Sequence, residues 1–161
     1  EEDVILTDQI ENGQNTVIFT FPEELVRKLE AKFNTNIIEF ASKSWIKMVM
    51  QTELPDQNLY LFLEENQLQI LFPDQRNIRF FNRFSCSTVD ELIYFTALVS
   101  NQLKLKPEET NLIICGRIGA EGEQVVCLKK FFKDVTLFTT PNFKQSNLLQ
   151  QHQVVQFLGL N

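Results

Sequence analysis

The residues best placed to do chemistry lie in one run, Gly116-Arg117-Ile118-Gly119-Ala120-Glu121-Gly122, which holds three of the five glycines in the chain. It links a predicted buried strand to a predicted helix. In open α/β sheets, ligands sit at the carboxyl ends of strands, and helix N-termini attract anions. Gly116, Arg117 and Gly119 are therefore the candidate cofactor-binding residues, should a nucleotide bind. The spacing is G-x-x-G-x-x-G rather than the dinucleotide G-x-G-x-x-G, and no G-K-[ST] is present. A strand-to-helix turn that needs positive φ explains the same glycines without a ligand.

Other groups offer less. Glu64 and Glu65 are adjacent carboxylates in a predicted hairpin turn, where acid–base or metal chemistry competes with simple solvation. Ser85-Cys86-Ser87 precedes a helix, a place where a thiol pKa can fall. The one histidine, His152, is far along the chain, so a Cys–His pair would have to form across the fold. Asp90 and Glu91 open a helix, where acids are expected for dipole reasons alone. Trp45, Met48 and Met50 could form a binding face or pack on a core. No residue is assigned a catalytic role, no metal site is expected, and no complete cofactor motif is present. ATP with magnesium is the alternative to having no cofactor.

Composition narrows the function classes further. The chain has 161 residues, 43% hydrophobic and 22% charged, which suits one domain or one and a half small lobes. Its formal net charge is −6. The nearest approaches to a basic patch are Lys129, Lys130 and Lys133, and Arg76, Arg79 and Arg83. Neither makes a polyphosphate surface on an acidic background, so nucleic acid is not an expected partner. Cys86, Cys115 and Cys127 lack C-x-x-C spacing, and so sparse a count fits a reducing, cytoplasmic compartment. No apolar run is long enough to span a membrane. The first residue is Glu1, not Met. Either a leader was cleaved or the sequence starts partway through a longer protein, and the second is the expectation.

The elements that must position these residues follow from periodicity. A short strand is read at Val4–Leu6, a turn at Glu11–Asn15 and a strand at Thr16–Phe21. Pro22 then opens a helix with Leu25, Val26, Leu29 and Phe33 on one face. Ile37–Phe40 reads as a strand, and Ser44 could cap a helix over Trp45–Gln51. Three strands with tight connections follow, Leu59–Leu63, Leu68–Phe72 and Ile78–Phe84, and make an antiparallel meander. Thr88 and Glu91 have capping-box spacing before a helix with Leu92, Phe95, Val99 and Leu103 in one stripe. Pro107 ends that element. Leu112–Cys115 is an unbroken apolar run, predicted to be a central strand buried on both faces. Glu121–Phe132 is predicted helical, Val135–Phe138 a last strand, and a final helix is possible near Leu148–Leu158.

The resulting order, β-β-β-α-β-α-β, resembles the ribonuclease-H-like unit found in each half of the actin-like ATPase fold. Three stretches carry a more specific resemblance: Phe84 to Phe95 (FSCSTVDELIYF), Leu112 to Ile118 (LIICGRI) and Leu128 to Val135 (LKKFFKDV). With Val17–Phe33, they look like an uncharacterised bacterial family of unknown function. The resemblance implies a longer protein with an actin-like ATPase fold, of which this chain would be the C-terminal part. Residues 1–57 would then end a first lobe as β-α-β-α, and residues 58–161 would form a ribonuclease-H-like second lobe, giving an α/β protein with a mixed sheet.

The same resemblance points to two nucleotide sites. The phosphate hairpin of actin-like ATPases carries an Asp-x-Gly-type loop, and the matching turn here is Glu64-Glu65-Asn66-Gln67, without glycine. The adenosine turn usually has paired glycines, and here Gly116 is followed by Arg117. A non-enzymatic interaction module on a degenerate actin-like fold is the leading expectation, with a nucleotide-binding ATPase as the alternative. A ribonuclease-H-type nuclease is less favoured, because Leu59–Leu63 lacks the first-strand acid that would hold a metal. A protein partner or self-association is expected, through apolar surface at Trp45–Met50 and Val154–Leu158.

Overall fold

The computed structural model describes residues 2–10, 15–33, 38–52, 57–74 and 77–139. Its centre is a five-stranded mixed sheet in the order β5-β4-β3-β6-β7. The strands are β3 (Asn58–Glu64), β4 (Gln67–Asp74), β5 (Asn77–Ser85), β6 (Asn111–Gly116) and β7 (Asp134–Leu137). The meander β3-β4-β5 is antiparallel, whereas β6 lies parallel to β3 and β7 parallel to β6. The expected order is therefore present, but β3 rather than β6 holds the middle position. Its sequence Leu59-Tyr60-Leu61-Phe62 is buried throughout because each side of the sheet is covered.

Alternation sorts the strand residues between the two covers. Leu59, Leu61, Leu68, Ile70, Leu112 and Ile114 face α3 (Val89–Gln102) and α4 (Glu123–Leu128). Tyr60, Phe62, Leu71 and Cys115 face α2 (Lys43–Met50). Within β6, Leu112, Ile114 and Cys115 are buried but Ile113 is only half-buried. It lies on the α2 side, where one short helix and a ribbon make the cover.

That ribbon is a separate two-stranded antiparallel sheet of β1 (Asp3–Ile10) and β2 (Asn15–Pro22), followed by α1 (Glu23–Phe33). Ile10 and Val17 join the α2-side core. Asp8 fixes the ribbon to the segment before α2. It accepts hydrogen bonds from the Phe40 N–H at 2.9 Å and the Lys43 ammonium at 2.7 Å. Helix α1 buries none of its residues.

Several boundaries differ from expectation, each for a local reason. The first strand runs the full length of β1, because cross-strand pairing with β2 carries the polar positions Asp3, Thr7, Asp8 and Gln9. Pro22 closes β2 rather than opening α1. Residues 38–40 are not strand, and Ile37 lies outside the described residues. Helix α2 begins at Lys43, so Ser44 is a buried residue inside it rather than its cap. The segment Trp45–Met50, expected to offer apolar surface, is largely turned inward. Trp45 stacks on Phe62 at 5.5 Å and donates to the buried Gln69 Oε1 at 3.0 Å. Pro73 sits inside β4 at a register shift, where a missing N–H is tolerated. Helix α4 has six residues and gives way to turns, so Lys129, Lys130 and Lys133 are not on a helix.

The α3 ends are well specified. The Thr88–Glu91 capping box forms as predicted. At the other end Lys104 takes φ +57, with the Leu105 N–H on Ser100 O and the Lys104 N–H on Asn101 O. This is a Schellman stop built on lysine instead of glycine. Pro107 opens a short 3-10 turn, Pro107–Glu109, that leads into β6.

Candidate functional site

The parallel strands β3 and β6 end side by side, and a cleft of ≈ 430 Å³ opens above their carboxyl ends. Its walls are Leu63, Glu64 and Glu65 from the β3 end, Arg117 and Ile118 after β6, Ser87 and Thr88 before α3, and Glu123 and Gln124 on α4. This is the crevice where ligands bind in open α/β sheets. The fold therefore brings Arg117, the Glu64–Glu65 turn and the Ser87 region together, although they are far apart in sequence.

Gly116 has a structural explanation. Its φ is +104, and a Cβ there would sit 1.9 Å from the Leu63 carbonyl oxygen. The left-handed turn lets the Arg117 N–H return to that same carbonyl at 3.0 Å, which closes the β3–β6 ladder. Only glycine fits that conformation and that approach. Gly119 is different. It has no left-handed φ, and the Gly122 nitrogen would stand 4.0 Å from an added Cβ. Its carbonyl accepts the Gly122 N–H at 2.9 Å in the turn before α4.

Several donors around the cleft are engaged within the chain. Arg117 Nη1 donates to Glu65 Oε1 at 3.0 Å, across two highly exposed side chains. At the α3 N-terminus, Glu91 Oε2 accepts from Ser87 N at 2.7 Å and Thr88 N at 3.1 Å. Thr88 Oγ1 accepts from Glu91 N at 3.2 Å. The Ser87 and Thr88 N–H groups hold the Glu91 carboxyl below its usual range. The chain thus supplies its own carboxylate where an anion would dock. The hairpin at Glu65-Asn66 has no glycine and no positive φ. Glu64, Glu65 and Glu123 make the mouth acidic, against Arg117.

Nucleophilic chemistry has little support in the cleft. Cys86 is buried, and its thiol is pushed up by burial and then by the Glu91 charge, which outweigh a lowering by the Thr88 backbone. Burial also pushes Cys115 up strongly. His152 lies outside the described residues, as do Arg76, Val154–Leu158 and the possible final helix. Among the described residues, no group of three or more His, Cys, Asp or Glu side chains is placed to hold a metal ion. Strand β3 runs one residue further than predicted and ends on half-buried Glu64, so it does carry an acid at its carboxyl end. Sequence reasoning did not anticipate the Glu65–Arg117 pair, which joins residues 52 apart.

Comparison with known proteins agrees with this architecture. The family model described as "Protein of unknown function (DUF3822)" matches residues 1–135, and the chain belongs to that family. No curated protein matches it. A crystal structure from Bacteroides thetaiotaomicron, described as a protein with actin-like ATPase fold and unknown function, is similar with a TM-score of 0.75. It is 18% identical, and the match covers 86% of this chain and 55% of that one. The chain thus has the actin-like ATPase fold and spans about half the length of that relative. Among the described residues, no helix is long and apolar enough to cross a membrane.

Proposed function

We propose that this chain is a non-enzymatic protein-interaction module built on an actin-like fold whose nucleotide cleft has degenerated. The observation that carries the reading is the self-satisfied cleft. Glu91 takes the Ser87 and Thr88 amides that lead into α3, Glu65 engages Arg117, and the hairpin that should wrap phosphate is glycine-free. A nucleoside triphosphate would bring further negative charge against Glu64, Glu65 and Glu123. It would also have to displace two existing sets of charge-assisted hydrogen bonds. Gly116, the glycine most suggestive of a cofactor, is accounted for by the strand ending. In this reading residues 1–57 end a first lobe and residues 58–161 form the second. The setting is a bacterial cytoplasm, in keeping with free thiols at Cys86, Cys115 and Cys127.

The alternative, nucleotide binding at Gly116, Arg117 and Gly119 with magnesium, draws on the cleft's position and volume. A thermal-shift titration separates the two, because a ligand that binds only the native state raises its stability. Millimolar ATP with magnesium should leave the melting temperature unchanged. A magnesium-dependent rise of several degrees would reject the non-enzymatic reading.

A further inference from the structure

The chain leaves α4 through Lys129-Lys130-Phe131-Phe132-Lys133 before β7 begins at Asp134. The two phenylalanines part ways. Phe132 belongs to the core with Leu128 and Val135, whereas Phe131 is 55% exposed. Val126, one turn earlier on α4, is 48% exposed. Lys129, Lys130 and Lys133 are exposed, and none of the ion pairs among the described residues uses them. Lys106 differs, since Glu109 holds it at 2.8 Å. On a chain of net charge −6, residues 126–133 hold three lysines and no acid.

The Lys133 N–H donates to the Pro107 carbonyl at 3.0 Å and ties this turn to the segment that enters β6. Strands β6 and β7 are parallel and both begin here. The patch therefore lies at the amino ends of the parallel strands, and the cleft lies at their carboxyl ends. A surface that closes over the cleft meets the other end of the sheet. Nor can the C-terminal stretch neutralise the lysines, because residues 140–161 contain no Asp or Glu.

We infer that this turn docks an acidic segment of another protein, with Phe131 against an apolar side chain of that segment and the three lysines paired to its carboxylates. This rests on the interaction-module reading and names the chemistry of the partner. An aromatic ring is the commonest kind of anchor at an interface, and it loses little conformational freedom on binding. The lysines set the sign of the partner and steer its approach. An extended anionic surface, such as a membrane, fits less well. It would also meet Glu108, Glu109 and Asp134, which flank the turn in sequence and are exposed, and the net charge of −6 would oppose it. A short segment touches the patch alone.

The test is amide NMR of the 161-residue chain titrated with a short glutamate-rich peptide that has one central phenylalanine. The same peptide with every Glu replaced by Gln is the control. Shifts should concentrate at residues 126–133 with the acidic peptide, be absent with the control, and fade as salt rises. Lys129→Gln with Lys130→Gln and Lys133→Gln, and separately Phe131→Ser, should each weaken binding about tenfold or more with unchanged circular dichroism. Replacing the three lysines by arginine should retain it. No shifts at millimolar peptide, shifts centred elsewhere, equal binding of the control, or binding indifferent to the lysines would overturn the proposal. Tighter binding of the patch to phosphatidylserine vesicles would give it to a membrane, and patch shifts that follow protein concentration alone would give it to a second copy. Either result would also overturn the proposal. The ATP titration reads the opposite end of the sheet, so the cleft reading and this one can fail separately.

Discussion

The five-stranded sheet and the ribbon with α1 are built from similar residues but held very differently. β3 has helices or ribbon on both faces and buries Leu59 through Phe62. Helix α1 carries the apolar face Leu25, Val26, Leu29 and Phe33, yet only Val26 and Leu29 are even half-buried, and Phe33 is 61% exposed. The side-chain interactions on its first turns are ion pairs at the surface. Glu23 and Glu24 sit in the first turn, paired four residues on with Arg27 and Lys28. Such exposed pairs contribute little, so the helix depends on packing, and among the described residues none of its side chains is fully buried. Amphipathic pattern alone therefore does not say whether a face meets its own core or awaits another surface.

The sharpest way to break this contrast is at the end of the sheet. Gly116→Ala should destabilise the protein by about 4 kcal/mol or more, since the new Cβ meets the Leu63 carbonyl in a left-handed conformation. Gly119→Ala should change stability by less than about 0.5 kcal/mol. Denaturant unfolding measures both. Equal effects would mean that the loop glycines have one shared role, as in a ligand loop.

Leu61→Ala and Phe33→Ala compare the two regions directly. The first empties a fully buried site in β3 and should cost about 2–5 kcal/mol. The second trims an exposed ring and should cost about 0.5 kcal/mol or less. A large loss at Phe33 would show that α1 is packed after all.

A smaller effect concerns the attachment of the ribbon. Burial raises the Asp8 carboxyl, but the Lys43 hydrogen bond, the Phe40 N–H and the Lys43 charge together hold it below its ordinary 3.8. A depressed folded pKa contributes stability that is present above the unfolded value and lost as pH falls through the folded one. The stability gap between wild type and Asp8→Asn should thus be constant at neutral pH and shrink below about pH 4. A gap that is unchanged down to pH 2 would remove the Asp8 contribution.

Much of this was legible beforehand, and the exceptions share a cause. The order β-β-β-α-β-α-β, the Thr88–Glu91 box and the apolar run in β6 could be read from neighbouring residues, because each is a local signal. Length along β1 was missed because its polar alternation is stabilised by β2, not by its own sequence. The stretch before α2 has strand composition, yet residues 38–40 serve instead as a tether, with the Phe40 N–H on Asp8. In the cleft, Gly116 was identifiable as special. Its reason, the Leu63 carbonyl 53 positions earlier, was not. The Glu91 clamp was visible as a cap, but only the fold places it where a phosphate would compete.

Hydrogen exchange read by mass spectrometry, with and without ATP and magnesium, tests the central claim most directly. It reports local opening from fraying segments up to the global limit. Amides of β3 and β6 should exchange slowest and those of α1 much faster, with ATP changing neither them nor residues 87–91 and 116–118. Protection of α1 equal to that of β3, or new ATP-dependent protection at 87–91 and 116–118, would contradict the account.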